Sequence, residues 1–291
     1  MTQFLQFLII GISKGAIYGL IALGFVLVFK ATRVFNYAQG HLMMVGSFML
    51  IAFGPIFGLN VWLAMLVAFL SAIIIGLSFE RVFVRPLLGL GFLAIVMATI
   101  GAALIIAAVV QIVFGTYDRP YTTPIAQGVY TPWGIHVAKF DLLTIGVAAA
   151  AFVIFGLFFR FTSMGLQMRA AAESNEAAAL SGISISRVSA VAWSVSTMLA
   201  FVCGIILANK TQIVNISLAD LGLYAFPAVV IGGLESVPGA IIGGLVVGLL
   251  ESFSGGYIST DSSQAIVYAG LLVMLLIKPS GLFGQQEIAR V

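Results

Sequence analysis

Residues 221–234 read LGLYAFPAVVIGGL, and residues 235–244 continue ESVPGAIIGG. The first run is apolar enough to enter a membrane and too short to cross one. As a helix it rises about 21 Å, against a hydrocarbon core of about 30 Å. Pro227 removes a backbone donor in its middle, and Gly232-Gly233 closes it. Pro238, Gly239, Gly243 and Gly244 then cluster. Interrupted backbone at membrane depth costs several kcal/mol per unpaired group and persists only where protein or a water-filled path surrounds it. This stretch therefore points away from a bundle of plain rods and toward a membrane protein with broken or re-entrant helices.

The composition agrees. Hydrophobic residues make up 62% of the chain and charged residues 8%, and the mean hydropathy is +1.18. A soluble domain carries about 25% charged residues, so these charges are too few to cover an aqueous surface. Candidate spans recur at 4–29, 37–57, 61–79, 91–114, 141–159, 188–208, 221–234, 237–253 and 264–278. The runs are apolar on both parities, which excludes the alternation of a β-barrel. The fold expected is an all-α polytopic membrane protein with about eight to nine segments. Its single cysteine, Cys203, lies in an apolar run and reads as a buried filler. No cleavable signal peptide is expected, because Lys14 follows an apolar stretch instead of preceding one. A net charge of +3 is too small and scattered for nucleic-acid binding.

Charge placement sets the orientation. If the spans alternate, Lys30, Arg33, Arg81, Arg85, Arg160, Arg169, Arg187, Lys278 and Arg290 share one side, and Arg119, Lys139 and Lys210 fall on the other. The richer side is cytoplasmic by the positive-inside rule, which puts the N-terminus outside and the C-terminus inside. One transmembrane domain over 1–291 is expected: a first half at 1–114, an external loop at 115–140, a cytoplasmic loop at 160–187 and a second half at 188–280. The external loop holds Pro120, Pro124 and Pro132 among tyrosines and threonines, which favours turns or a hairpin. Lys14 lies within the first span and is expected to snorkel toward the outer interface.

A second break occurs early, where VFNYAQGHLMMVGSF (34–48) places Asn36, Gln39, Gly40 and His41 beside an apolar run. Gly-interrupted segments in corresponding halves point to a solute path, and halves that start on opposite sides give an inverted repeat. Candidate path residues are therefore Asn36, Gln39, Gly40, His41, Pro227, Gly232, Gly233 and Gly239. The plainer readings stand beside this one. His41 reads more readily as a structural histidine than as a path residue, and Gly239-x-x-x-Gly243 and Gly244-x-x-x-Gly248 fit close helix packing. No metal site is expected, because His136 falls on the other face from His41 and no cysteine pair exists.

One soluble interruption remains, AAAESNEAAALSGISISRV at 170–188. Ser174 can cap a helix starting at Asn175, Glu176 suits its first turn, and Gly182 suits a left-handed end. A helix of about two turns is unstable alone, so it reads as a docking element held by neighbours or a partner. The chain has no G-x-x-x-x-G-K-[ST], so it carries no phosphate-cradling loop of its own.

Glu176-Ala177-Ala178-x-x-x-Gly182 matches the EAA-x-x-x-G signature of ATP-binding cassette permeases. GAIYGLIALGFVLVFKATRVFNYAQGHLMMVGSF (15–48), MGLQMRAAAESNEAAALSGISISRV (164–188), VVIGGLESVPGAIIGGLVVGLLES (229–252) and KPSGLFG (278–284) together resemble the branched-chain amino acid permease family. The resemblance implies a permease subunit of an ATP-driven importer in the bacterial cytoplasmic (inner) membrane. Its expected partners are a second, related permease subunit, two cytoplasmic ATP-binding cassette subunits and an extracytoplasmic solute-binding protein. It also implies no enzyme activity and no cofactor on this chain, with ATP bound by the partner. The coupling residues become Glu176, Ala177, Ala178 and Gly182, with Arg169, Glu173 and Arg187 beside them. Alternatives are the same architecture carrying urea, short amides or another small solute, or an ion-coupled secondary carrier. The carrier fits less well, because the acidic residues sit mostly at ends and loops and only Glu235 and Glu251 approach membrane depth. An intramembrane enzyme fits worst, since no H-E-x-x-H, paired intramembrane aspartates or serine–histidine arrangement stands out.

Overall fold

A computed structural model describes residues 2–284. Among these residues twelve α-helices follow one another: α1 (Thr2–Thr32), α2 (Gln39–Ile51), α3 (Val61–Phe79), α4 (Phe92–Phe114), α5 (Lys139–Phe161), α6 (Ser163–Glu173), α7 (Asn175–Leu180), α8 (Ile185–Thr211), α9 (Asp220–Tyr224), α10 (Phe226–Gly232), α11 (Val237–Tyr257) and α12 (Ser263–Ile277). Among the described residues, seven helices are long and apolar enough to cross a membrane, and two shorter apolar ones span Ile216–Gly232 and Ser263–Ile277. These nine coincide with the nine expected segments. Arg290 and Glu287, and with them the expected position of the C-terminus, lie outside the described residues.

Local chemistry sets the boundaries. The Asn60 side chain accepts from the Leu63 N–H and starts α3, and Ser236 does the same for Gly239 at the start of α11. Pro227 sits in the first turn of α10, where its missing donor costs nothing. A π-helical turn over Ala52–Ile56 contains Pro55 and ends the second span.

The chain forms two compact units. One takes the chain up to Val26, Ile125–Val153 and the chain from Tyr224; the other takes Leu27–Pro124 and Ile154–Leu223. The helices are thus exchanged between the halves of the sequence. Most of α1 belongs with α10–α12, and α8 belongs with α2–α4.

In the first unit α1 runs against α11 at backbone distance, with Gly15 and Gly19 facing Gly244, Leu245 and Ile241. The Ser252 hydroxyl donates to the Phe7 carbonyl at 2.7 Å, and Phe4 stacks on Phe253. The crossing of α10 and α11 is closer still. A Cβ at Gly243 would stand 2.1 Å from the Ala228 carbonyl oxygen, and one at Gly239 2.2 Å from that of Gly232. The tail then closes α10: Leu282 N–H donates to the Ile231 carbonyl at 2.8 Å and Phe283 N–H to that of Gly232 at 3.1 Å. In this way KPSGLFG satisfies the orphan carbonyls of a helix too short to bury its own end.

In the second unit α8 is the axis. It packs on α2 and α3, and Trp193 stacks on Phe79 with centroids 5.1 Å apart. Residues 115–140 take part in short ribbons, as their prolines suggested. In this unit β1 (Arg119–Pro120) pairs antiparallel with β4 (Ile213–Val214). In the first unit β2 (Val129–Tyr130) pairs with β3 (Val137–Ala138).

Candidate coupling site and solute path

The segment that interrupts the apolar chain is a built element. Thr162 caps α6 by accepting from the Gly165 N–H at 3.0 Å. Ser174 is extended, with φ −155° and ψ 116°, and its hydroxyl accepts from the Ala177 N–H at 3.2 Å to start α7. The far end is a Schellman turn: Ile183 N–H donates to the Ala178 carbonyl and Gly182 N–H to that of Ala179, both at 3.0 Å. Gly182 itself has φ +84°, with open space where a side chain would stand.

Only Ala178 of α7 is buried. Leu180 is 90% exposed, and Glu173, Glu176, Ala177, Ala179 and Gly182 are exposed beside it. The element is therefore a small-residue knob with one large apolar tip and an acidic first turn. Arg187, exposed in the first turn of α8, lies just beyond it. Arg169 points the other way: its Nη1 donates to the Phe159 carbonyl at 2.6 Å, and its guanidinium carbon lies 5.9 Å from the Phe159 ring centre.

Two residues read from sequence only as orientation signals reach the helices that lead into this knob. Lys30 Nζ stands 5.4 Å from the same Phe159 ring. Arg33, in a left-handed conformation at φ +57°, donates from Nη2 to the Ala172 carbonyl at 2.6 Å, next to the end of α6. The turn after α1 therefore holds the end of α6, just before the knob. No spacing rule announces such a pairing, because Arg33 and Ala172 are 139 residues apart and the acceptor is a backbone carbonyl.

The same turn leads into the first break. Residues 34–38 are non-helical, and Asn36 and Gln39 are fully buried. The Asn36 side-chain carbonyl accepts from the Ala38 N–H at 3.0 Å, and its amide donates to Gln39 Oε1 at 3.0 Å. Gln39 Oε1 also accepts from the Ser196 hydroxyl at 2.9 Å, and Gln39 Nε2 donates to the Ser196 carbonyl at 3.3 Å. The pair thus bolts the break onto α8. Gly40 lies against Ala219 and Gly222, and His41 is half-buried in the first turn of α2.

In the first unit, Pro227 is buried at the start of α10, Gly232 and Gly239 face each other across the α10–α11 crossing, and Gly233 turns the chain at φ +102°. Lys14 differs from expectation. Instead of reaching for the interface it pairs with Glu251, Nζ to Oε1 at 2.6 Å, and the Tyr18 hydroxyl donates to Glu251 Oε2 at 2.5 Å. Pairing within the protein offsets the cost of both charges better than a stretched side chain would. The sequence signal was present, since Glu251 approaches membrane depth, but the partner came from the opposite end of the chain.

Comparison with known proteins places this arrangement. The chain is 32% identical to the high-affinity branched-chain amino acid transport system permease protein LivH of Salmonella typhimurium, over 99% of this chain and 98% of that one. It is 30% identical to the corresponding protein BraD of Pseudomonas aeruginosa, over the same shares. It is 27% identical to a probable branched-chain amino acid transport permease LivH of Methanocaldococcus jannaschii, over 91% of this chain and 88% of that one. No solved structure matches it. The family profile for the permease component of branched-chain amino acid transport systems matches residues 7–277, nearly the whole chain with both breaks and the capped knob, and the chain belongs to that family.

Proposed function

We propose that this chain is the membrane-spanning permease subunit of an ATP-driven importer that moves branched-chain amino acids across the cytoplasmic membrane. The observation that carries the reading is the knob at 174–182. It is capped at both ends, exposed over most of its surface, and preceded by the end of α6, whose Ala172 carbonyl is held by Arg33 in the turn that feeds the first break. A knob so made is a handle for a partner, and a chain without a phosphate-binding loop needs a partner to use ATP. Two cytoplasmic ATP-binding cassette subunits fill that role, and this chain binds no cofactor itself.

The orientation follows from the charge pattern, and the partners are those that membership of the family implies. The side rich in lysine and arginine faces the cytoplasm, the N-terminus faces outward, and a solute-binding protein docks on the outer loops. A second, related permease subunit completes the membrane core. Closure of the ATPase pair pulls the knob, and Glu173, Glu176, Ala177, Ala178, Gly182, Arg169 and Arg187 form or flank the contact. The breaks at Asn36–His41 and Pro227–Gly239 are where the halves, related by inverted topology, yield to let solute pass.

Replacing Gly182 with valine tests the docking role. A β-branched side chain at φ +84° is strained by about 1–2 kcal/mol and stands on the knob's contact face. In proteoliposomes with all partners, uptake should fall several-fold while ATP hydrolysis continues. Uptake tightly coupled at the wild-type rate would count against the knob as the coupling element.

A further inference from the structure

Ser196 fixes the depth of the first break. It lies eleven residues from the start of α8 and fifteen from its end, about 17 and 22 Å along a helix long enough to cross the membrane. Gln39 and Ser196 exchange two hydrogen bonds, so the start of α2 stands near the middle of the bilayer. The chain comes back to this level after β4. A Cβ at Gly40 would collide with the Ala219 carbonyl, and one at Gly222 with the Gly40 backbone. Asp220 lies between these two contacts and is held at the same depth. In sequence it stands just before an apolar run and reads as a charge at the end of a span; the approach to Gly40 is what carries it inward.

Asn36 and Gln39 build the break and turn nothing outward, being fully buried and bonded to each other, to Ala38 and to Ser196. Other groups face out at this level. Asp220 is exposed, His41 in the first turn of α2 is half-buried, and the Asp220 charge acts on the His41 ring. Leu223, three residues on and so on the Asp220 side of α9, is exposed as well. All of these residues belong to the second unit. A charged side chain at such depth does not face lipid. It faces protein or a water-filled passage, and it marks the route of a solute or ion.

We infer that His41, Asp220 and Leu223 line the solute passage at mid-depth, with Asp220 taking the ammonium group of a passing amino acid, an N–H of His41 donating to its carboxylate and Leu223 meeting its aliphatic side chain. The face is open in the single chain, and the second permease subunit closes the passage over it. A carboxylate in a low-dielectric setting gains most from a cation that brings its own hydrogen-bond donors, which an ammonium group does and a neutral amide such as urea does not. The inference rests on the amino-acid reading of the importer and goes further by assigning the residues that meet the solute on its way through.

The test uses the complete importer in proteoliposomes with radiolabelled leucine and, separately, urea. Wild-type complex that moves urea and not leucine would defeat the amino-acid reading before any variant is considered. With leucine transport established, Asp220→Asn keeps the shape of the side chain and removes its charge. It should lower kcat/KM for leucine uptake by more than about tenfold. Leu223→Cys reads the location of the face without relying on transport. A small water-soluble thiol reagent should modify it in the assembled complex, because the reactive thiolate forms where water reaches and not in apolar surroundings. Leucine supplied with the binding protein should slow that reaction several-fold. The native Cys203 is buried and adds no background. A wild-type kcat/KM in Asp220→Asn, or a Leu223→Cys thiol that stays unreactive, would overturn the inference and leave this face as a contact with lipid or with the second subunit.

Discussion

Tyr121 and Gly182 behave in opposite ways as single residues. Gly182 is legible in sequence, because a helix that starts at a serine cap and carries glycine eight residues on has a natural left-handed stop, and the residue adopts φ +84°. Tyr121 is not legible. It follows Pro120 in a loop, yet its ring is buried and its hydroxyl has no hydrogen-bond partner among the described residues. Burial raises its pKa above the ordinary 10.0. The folded chain then keeps a proton that the unfolded chain releases, so stability holds below about pH 10 and declines as pH rises above it. Tyr121→Phe should remove that alkaline decline. By deleting an unpaired buried hydroxyl it should also raise stability by up to about 1 kcal/mol at neutral pH. Thermal unfolding in detergent from pH 8 to 11 checks both signs, and a Phe variant that melts lower throughout would contradict them.

Among elements, α10 and α11 were legible as a pair and obscure in cause. The short run at 221–234 announced a broken helix, and Pro238 with the glycines after it announced a close crossing. What holds the crossing could not be read. A seven-residue helix has most of its end groups unpaired, and the donors that close it come from residues 282 and 283, past the last span. Leu282→Pro removes one donor and leaves the Ile231 carbonyl unpaired at membrane depth. It should cost about 1–3 kcal/mol, seen as a melting temperature lower by several degrees with expression retained. An unchanged melting temperature would mean that the tail only rests on α10. The knob shows a similar division. Its helix, caps and exposure follow from AAESNEAAALSG, but the hold of Arg33 on the end of α6 depends on a long-range contact to a carbonyl, for which local pattern has no signature.

Over the whole molecule, nine segments could be counted from hydropathy because lipid permits few alternatives to an uninterrupted helix. The exchange of leading helices, α1 with α10–α12 and α8 with α2–α4, could not be counted, since hydropathy fixes where a helix lies along the chain and not which helices it touches. That exchange bears on the proposed coupling. The knob, the Arg33 turn, the first break and α8 all fall in one compact unit, so the proposed pull on α7 would act on the break from within that unit. The account stands on the knob being on the cytoplasmic face and gripped there. Ala179→Cys, at an exposed position one residue from the Leu180 tip, reports on both points through a membrane-impermeant thiol reagent. The background is clean because the native cysteine, Cys203, is buried. The reagent should modify the introduced thiol in inside-out vesicles holding the permease subunits alone, spare it in right-side-out vesicles, and react several-fold more slowly once the ATPase subunits are bound. Modification in intact right-side-out vesicles would place the knob outside and contradict the account.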